Sequence, residues 1–336
     1  MTTLLAQIAP QRSTQYADLA RILAPCELQL APLGAELPAD PLVELGGQAY
    51  LQFELPEPPG PEQARELGML AMTSAFFVRH AGLGGVPGPL LQPIETGFSP
   101  ALPREMMMAR RYRGKTNELF TQTLCNLARY SSALSDRPWE TLRLFDPLAG
   151  GGTTLFAALM LGASVAGVEK NAKDVQTTTA FVRRFTREQG ISCQEAKATL
   201  KGIGRRYTFT LGEGKQTCII GHGDTANAPE LISGFRPHLI VGDLPYGIQH
   251  KGQLADLLEN SLPIWETVLP TGGALVLAWE SRRLPRPEMI ELIEWSGALG
   301  VLDDPPYDQM AHRVDRVIKR RDVIVARPRA GLAKEG

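Results

Sequence analysis

The chain has little of what a disulfide framework or a metal site requires. Only four cysteines occur in 336 residues, Cys26, Cys125, Cys193 and Cys218, and no two form a C-x-x-C pair. Five histidines complete the set of soft ligands, with no spacing that suggests zinc. A metal-free protein of a reducing compartment, the cytoplasm, is the expectation. No apolar run is long enough to span a bilayer, and residues 1–8 lack the basic start of a secretory signal, which argues against membrane insertion and export. No charge of one sign dominates: the net charge is −1, so any contact with nucleic acid must come from local basic patches. What remains is 43% hydrophobic and 21% charged, the composition of a globular protein long enough for one large domain and a smaller one.

The most informative stretch is Leu144-Phe145-Asp146-Pro147-Leu148-Ala149-Gly150-Gly151-Gly152-Thr153-Thr154. Leu144 and Phe145 predict a short buried strand ending at Asp146. A glycine loop follows, then a helix over 155–161. Strand, glycine turn and helix N-terminus form the nucleotide-facing corner of a doubly wound sheet. The dinucleotide pattern G-x-G-x-x-G fails here, because Leu155 occupies the third glycine position. Residues 163–168 predict a second strand ending in Glu169, which lies about where an acidic residue holds a ribose diol in such sheets. A helix over 171–187 follows. Residues 207–211 and 216–220 suggest a hairpin around Gly212-Glu213-Gly214-Lys215, leading to Asp224. The fourth strand, 238–242, runs into Asp243-Leu244-Pro245-Tyr246-Gly247.

Two motifs carry a resemblance. Asp146-Pro147-Leu148-Ala149-Gly150-Gly151-Gly152-Thr153 is similar to motif I of methyltransferases that modify exocyclic amino groups of bases using S-adenosyl-L-methionine. Asp243-Leu244-Pro245-Tyr246 resembles their motif IV tetrad. The Asp-Leu-Pro-Tyr-Gly form is similar to that of the THUMP-associated tRNA guanosine N2-methyltransferases, over roughly residues 105–328, although the N-terminal region is shorter than the module that family carries. The resemblance implies a Rossmann-like α/β fold with a seven-stranded methyltransferase sheet, S-adenosyl-L-methionine as cofactor, and tRNA or another structured RNA as partner. It implies that Asp146, Pro147, Ala149, Gly150, Gly152 and Thr153 hold the methionine end, Glu169 the ribose and Asp224 the adenine amino group. Asp224 capping the next segment is the plainer alternative. Asp243 and the carbonyl of Leu244 would accept hydrogens from the target amine. Pro245 would fix the turn and Tyr246 would stack on the base.

DNA adenine-N6 or cytosine-N4 methyltransferases share both motifs, but no sizeable target-recognition region follows Gly247. A silent cofactor- or RNA-binding subunit is a further alternative, against which Asp243 and Tyr246 speak. A second Asp304-Pro305-Pro306-Tyr307 lies near the sixth strand rather than the fourth and is expected to be a turn of the terminal hairpin.

The expected organisation is a small α/β domain over 1–85, a proline-rich and basic linker over 86–115, and a methyltransferase domain over 116–330. Within the first, 16–23 predicts a helix and 48–55 a half-buried strand. A helix beginning at Pro61 is expected to carry Leu67, Leu70 and Phe77 into the core. In the linker, Arg110, Arg111, Arg113 and Lys115 surround Tyr112, and Arg111, Arg113 and Lys115 are candidate phosphate contacts. Gly114-Lys115-Thr116 is not a P-loop, because Ala109 stands where its first glycine belongs and no strand precedes it. Arg313, Arg316, Lys319, Arg320 and Arg321 form a second basic cluster.

Overall fold

The computed structural model describes residues 1–10, 17–110, 115–245, 251–314 and 320–329. The chain divides into two compact units: Met1–Ser99 with Asp304–Arg321, and Pro100–Asp303 with Asp322–Gly336.

The first unit is built on a five-stranded sheet. Its elements are β1 (Thr2–Ile8), α1 (Ala17–Leu30), β2 (Leu42–Leu45), β3 (Gln48–Leu55), α2 (Pro61–Met69), β4 (Thr73–Leu83) and β5 (Val86–Pro93), with strand order β2-β3-β1-β4-β5. β1 is central because Leu4, Leu5 and Ala6 are wholly buried. It pairs antiparallel with β3 and β4. α2 begins as expected, with Pro61 at its start, but ends at Met69, so Phe77 lies in β4 rather than on the helix. The first part of the expected proline-rich linker, residues 86–93, is a strand, β5, paired antiparallel with β4; residues 94–100 carry neither helix nor strand. An edge position tolerates Pro87, Pro89 and Pro93, since one side of the strand needs no ladder donors. The first compact unit thus takes in β5 and runs to Ser99. The Asp304-Pro305-Pro306-Tyr307 sequence belongs to this unit, where the turn Tyr307–Gln309 packs on α1. Of the second basic cluster, Arg316 and Lys319 lie outside the described residues, and Arg321 is buried, its backbone paired with His312.

The second unit contains α3 (Glu105–Met108), α4 (Glu118–Tyr130), β6 (Arg143–Asp146), α5 (Thr153–Leu161), β7 (Ser164–Glu169), α6 (Ala172–Glu188), β8 (Cys193–Leu200), β9 (Gly204–Leu211), β10 (Gln216–His222), α7 (Ala228–Leu231), β11 (Leu239–Asp243), α8 (Lys251–Val268), β12 (Ala274–Glu280), α9 (Arg286–Glu294), β13 (Leu299–Leu302) and β14 (Arg321–Pro328). They make a Rossmann-like mixed sheet in the order β13-β14-β12-β11-β6-β7-β10-β9-β8. The sheet has nine strands rather than seven. β9 and β10 form the hairpin expected from 207–211 and 216–220, and β8, pairing antiparallel with β9, extends the edge further as a meander. β8 is polar and mostly exposed, so no alternation marks it in the sequence.

β6, β7, β10, β11 and β12 run parallel. Such strands are covered on both faces. α5 and α6 meet on one face, with the rings of Phe156 and Phe181 5.2 Å apart. α7, α8 and α9 pack on the other, around Phe145, Leu258, Trp265 and Trp279. α5 is apolar all round, and all nine of its residues are buried, as expected of a helix enclosed between sheet and neighbours. Burial of each large apolar side chain in these layers stabilises the fold by about 1.5–3 kcal/mol.

The chain leaves β6 toward β7 on one side and later returns to β11 on the other, so the direction of strand order reverses between β6 and β11. Ligands of open α/β sheets bind in the crevice beyond the carboxyl ends of strands at such a reversal. Asp146 ends β6 and Asp243 ends β11.

Candidate active site

β6 and β11 are neighbours in register, with Leu144 opposite Leu239 and Phe145 opposite Ile240. Their exits therefore lie side by side. A Cβ on Gly242 would stand 3.8 Å from Cγ and Cδ of Pro147, so the two exiting segments pack closely. Asp146 is 2% exposed. Its Oδ1 accepts the N–H of Leu148 at 3.0 Å, and its carboxyl also bonds the side chain of Thr154. Burial pushes this carboxyl up to about 7; the bonds from Leu148 and Thr154 oppose that, while the nearby charges of Asp243 and Glu169 add to it.

The glycine loop is held against β7. The N–H of Ala149 donates to the carbonyl of Val168 at 2.9 Å, and that of Gly150 to Oε2 of Glu169 at 2.8 Å. Gly150 and Gly152 take φ of +48° and +82°, the left-handed region that favours glycine. A Cβ on Gly150 would meet nothing within 4 Å, so this backbone is open to a ligand. Thr153 opens α5 and is buried. Gly167 explains why the loop fits without a glycine at position 155. A Cβ there would stand 2.8 Å from Cβ of Ala149 and 2.9 Å from a Cδ of Leu155, so the glycine on the neighbouring strand makes the room.

At the end of β7, the Glu169 carboxylate accepts from Gly150 and, at 2.6 Å, from the N–H of Asn171. His222, the last residue of β10, is opposite Glu169, and the N–H of Gly223 donates to the Glu169 carbonyl at 3.1 Å. This brings Asp224 to the same edge. Asp224 caps the turn that follows: Oδ1 accepts the N–H of Ala226 at 3.1 Å. Its Oδ2 pairs with Lys170 at 2.9 Å, and that bond holds the carboxyl below its ordinary range. The capping role is thus realised, and a side chain 45% exposed remains accessible.

Asp243 Oδ2 accepts a hydrogen bond from the hydroxyl of Thr116. Leu244 is 1% exposed, and its N–H donates to the Ala278 carbonyl at 2.8 Å, which fixes the segment leaving β11. Pro245 is exposed. Tyr246, Arg111 and Arg113 lie outside the described residues. Lys115 is not a free phosphate-binding cation: its ammonium donates to the carbonyls of Met107 at 2.9 Å and Arg110 at 2.8 Å and to Glu118 Oε1 at 2.6 Å, and the side chain is 9% exposed. Arg110, not singled out from the sequence for this role, donates to the carbonyl of Gly151 and to Thr178 Oγ1 at 2.9 Å, bracing the glycine loop against α6. Neither Arg110 nor Thr116 carries a sequence signal for these contacts, which span 41 and 127 residues. Gly167 carried one, a glycine inside an apolar strand.

Among the described residues, no group of three His, Cys, Asp or Glu side chains gathers to hold a metal, and no helix is long and apolar enough to cross a membrane. The described site is instead a crevice with Asp146, Glu169 and Asp243 around an open glycine backbone. Such a set of acceptors suits a cationic ligand with hydroxyl and amino groups.

No family model and no curated protein matches the chain. Among solved structures it is similar to TrmN from Thermus thermophilus, at 16% identity over 98% of this chain and 100% of that one, with a TM-score of 0.47. It is also similar to the rRNA methyltransferase aviRa from Streptomyces viridochromogenes, at 12% identity over 68% and 91% of the two chains, TM-score 0.39. A third is an RNA methyltransferase from Salinibacter ruber in complex with S-adenosyl-L-homocysteine, at 18% identity over 49% and 76%, TM-score 0.31.

Proposed function

We propose that the protein transfers a methyl group from S-adenosyl-L-methionine to an exocyclic amino group of an RNA base, guanosine N2 in tRNA being the acceptor that Asp243-Leu244-Pro245-Tyr246-Gly247 favours. The observation that supports this best is the pairing of the glycine loop and Asp243 across one strand-reversal crevice. Asp146 and the open backbone at Gly150 suit the ammonium and sulfonium of the cofactor's methionine end. Glu169 has lone pairs left for ribose hydroxyls after accepting from Gly150 and Asn171, and Asp224, at the neighbouring strand end, for an adenine amino group. The bound cofactor supplies an electrophilic methyl on a sulfonium.

The chain's own contribution is to orient and polarise the acceptor. An exocyclic amine is a weak nucleophile because its lone pair is conjugated into the ring. Asp243 and the carbonyl of Leu244 accept hydrogen bonds from it and turn the lone pair toward the cofactor side of the crevice. The surplus N–H proton of the methylated amine passes to the Asp243 carboxylate and on to solvent. Positioning of this kind removes much of the entropic part of the barrier. The base must be unpaired or flipped out to reach Asp243. The test is incubation with methyl-labelled cofactor and separate tRNA and DNA pools. Label in RNA supports the reading. Label in DNA alone overturns the RNA assignment, and label in neither, with cofactor bound, makes the protein a silent subunit.

A further inference from the structure

Two described residues ahead of α4, Arg110 and Thr116, each meet one half of the crevice. At one end Arg110 holds the glycine loop through the Gly151 carbonyl. At the other, the Thr116 hydroxyl donates to Asp243 Oδ2. Two anchors fix Thr116 in place. Asn117 caps α4, its Oδ1 accepting the N–H of Phe120 at 3.1 Å. Lys115, the residue before Thr116, bonds the carbonyls of Met107 and Arg110 and the carboxylate of Glu118. Phe120 and the rest of α4 are buried against β11 and β12, so the hydroxyl is presented from a rigid helix start.

From this geometry we infer that Thr116 is a positioning residue for the methyl transfer: by donating to one carboxylate oxygen it fixes the rotamer of Asp243 so that the carboxylate faces the acceptor amine. This rests on the proposed function above. The carboxylate ends a strand near the buried Asp146, whose like charge repels it. Removing the Thr116 hydroxyl takes away the hydrogen bond that sets the direction of Oδ2. A carboxylate accepts up to about four hydrogen bonds, so the donation by Thr116 leaves room for the amine hydrogen. Because the bond addresses Asp243, the effect of Thr116 should appear in turnover rather than in cofactor affinity.

The experiment compares wild type with Thr116→Val and Thr116→Ser. Valine keeps the shape and removes the donor; serine restores it. A hydrogen bond to a charged group corresponds to a loss on the order of tenfold or more in kcat for Thr116→Val. The KM for RNA and the affinity for S-adenosylhomocysteine should stay within about twofold, and Thr116→Ser should recover most of the turnover. Unchanged kcat in Thr116→Val overturns the inference. So does a loss that serine does not rescue, or one matched by equal losses in binding and thermal midpoint, since either is what a merely structural residue would give. Failure of wild type to methylate any nucleic acid overturns the proposed function and this inference with it; an active wild type with a normal valine variant overturns this inference alone.

Discussion

Acidifying the solution should weaken cofactor binding through Asp146. Burial holds this carboxyl at about 7, well above its ordinary 3.8, with the charges of Asp243 and Glu169 adding to the shift. A cationic ligand beside it favours the ionised form. With a midpoint near 7, roughly nine-tenths of the carboxyl is ionised at about pH 8 and roughly one-tenth at about pH 6. The apparent affinity for S-adenosylmethionine should therefore fall by about tenfold between the two, or about 1.4 kcal/mol. Titration calorimetry in two buffers of different ionisation enthalpy should register about half a proton released on binding near neutrality. The ligand's own amino group titrates in the same range, so Asp146→Asn is measured in parallel and the difference between the two profiles is read. Folding carries the opposite sign. Between about pH 4 and pH 7 the unfolded chain loses its proton while the folded chain keeps it, so this group's contribution to stability falls as pH rises through that window and is level above it. The thermal midpoint of Asp146→Asn should then gain on wild type as pH rises. An affinity difference that is flat in pH, or that grows toward acid, would refute the reasoning.

Asp243→Ala should lower kcat by at least about a hundredfold while leaving S-adenosylhomocysteine affinity nearly intact, because the side chain addresses the acceptor and not the donor; an equal loss in both measurements would place it in cofactor binding. Gly167→Ala puts a Cβ 2.8 Å from Ala149 and should displace the glycine loop. Overpacking of about 1–3 kcal/mol corresponds to a loss of cofactor affinity of roughly 5- to 150-fold, checked by equilibrium binding. Lys115→Met should lower the thermal midpoint without changing the slope of RNA affinity against salt, since its ammonium is spent on Met107, Arg110 and Glu118. A phosphate contact would instead make that slope shallower by about one.

The parts of this molecule legible in the sequence are those where local chemistry and tertiary role coincide. The strand ending at Asp146, its glycine turn, the strand ending at Glu169 and the strand entering Asp243 are short apolar runs bounded by acid or glycine, and each lies where the pattern placed it. What escaped reading lacked such coincidence. β1 begins at Thr2, where a terminal apolar stretch resembles neither a signal nor an alternating strand. β8 exposes most of its residues and has no hydrophobic rhythm. β5 is rich in proline, which signals a connector until the edge position is known. Asp304-Pro305-Pro306-Tyr307 resembles the proposed catalytic tetrad in letters alone, because its segment folds with the N-terminal unit. In the site, the carboxylates were legible through strand ends, but their partners were not. Thr116 is 127 residues from Asp243, and only the packing of α4 on β11 brings them together.

The most direct test is nucleoside analysis of RNA methylated by the purified protein, with mass spectrometry locating the added methyl. A methyl on an exocyclic nitrogen, guanosine N2 above all, is the result the proposed function predicts. A methyl on a ring carbon, a ring nitrogen or a ribose oxygen would contradict it.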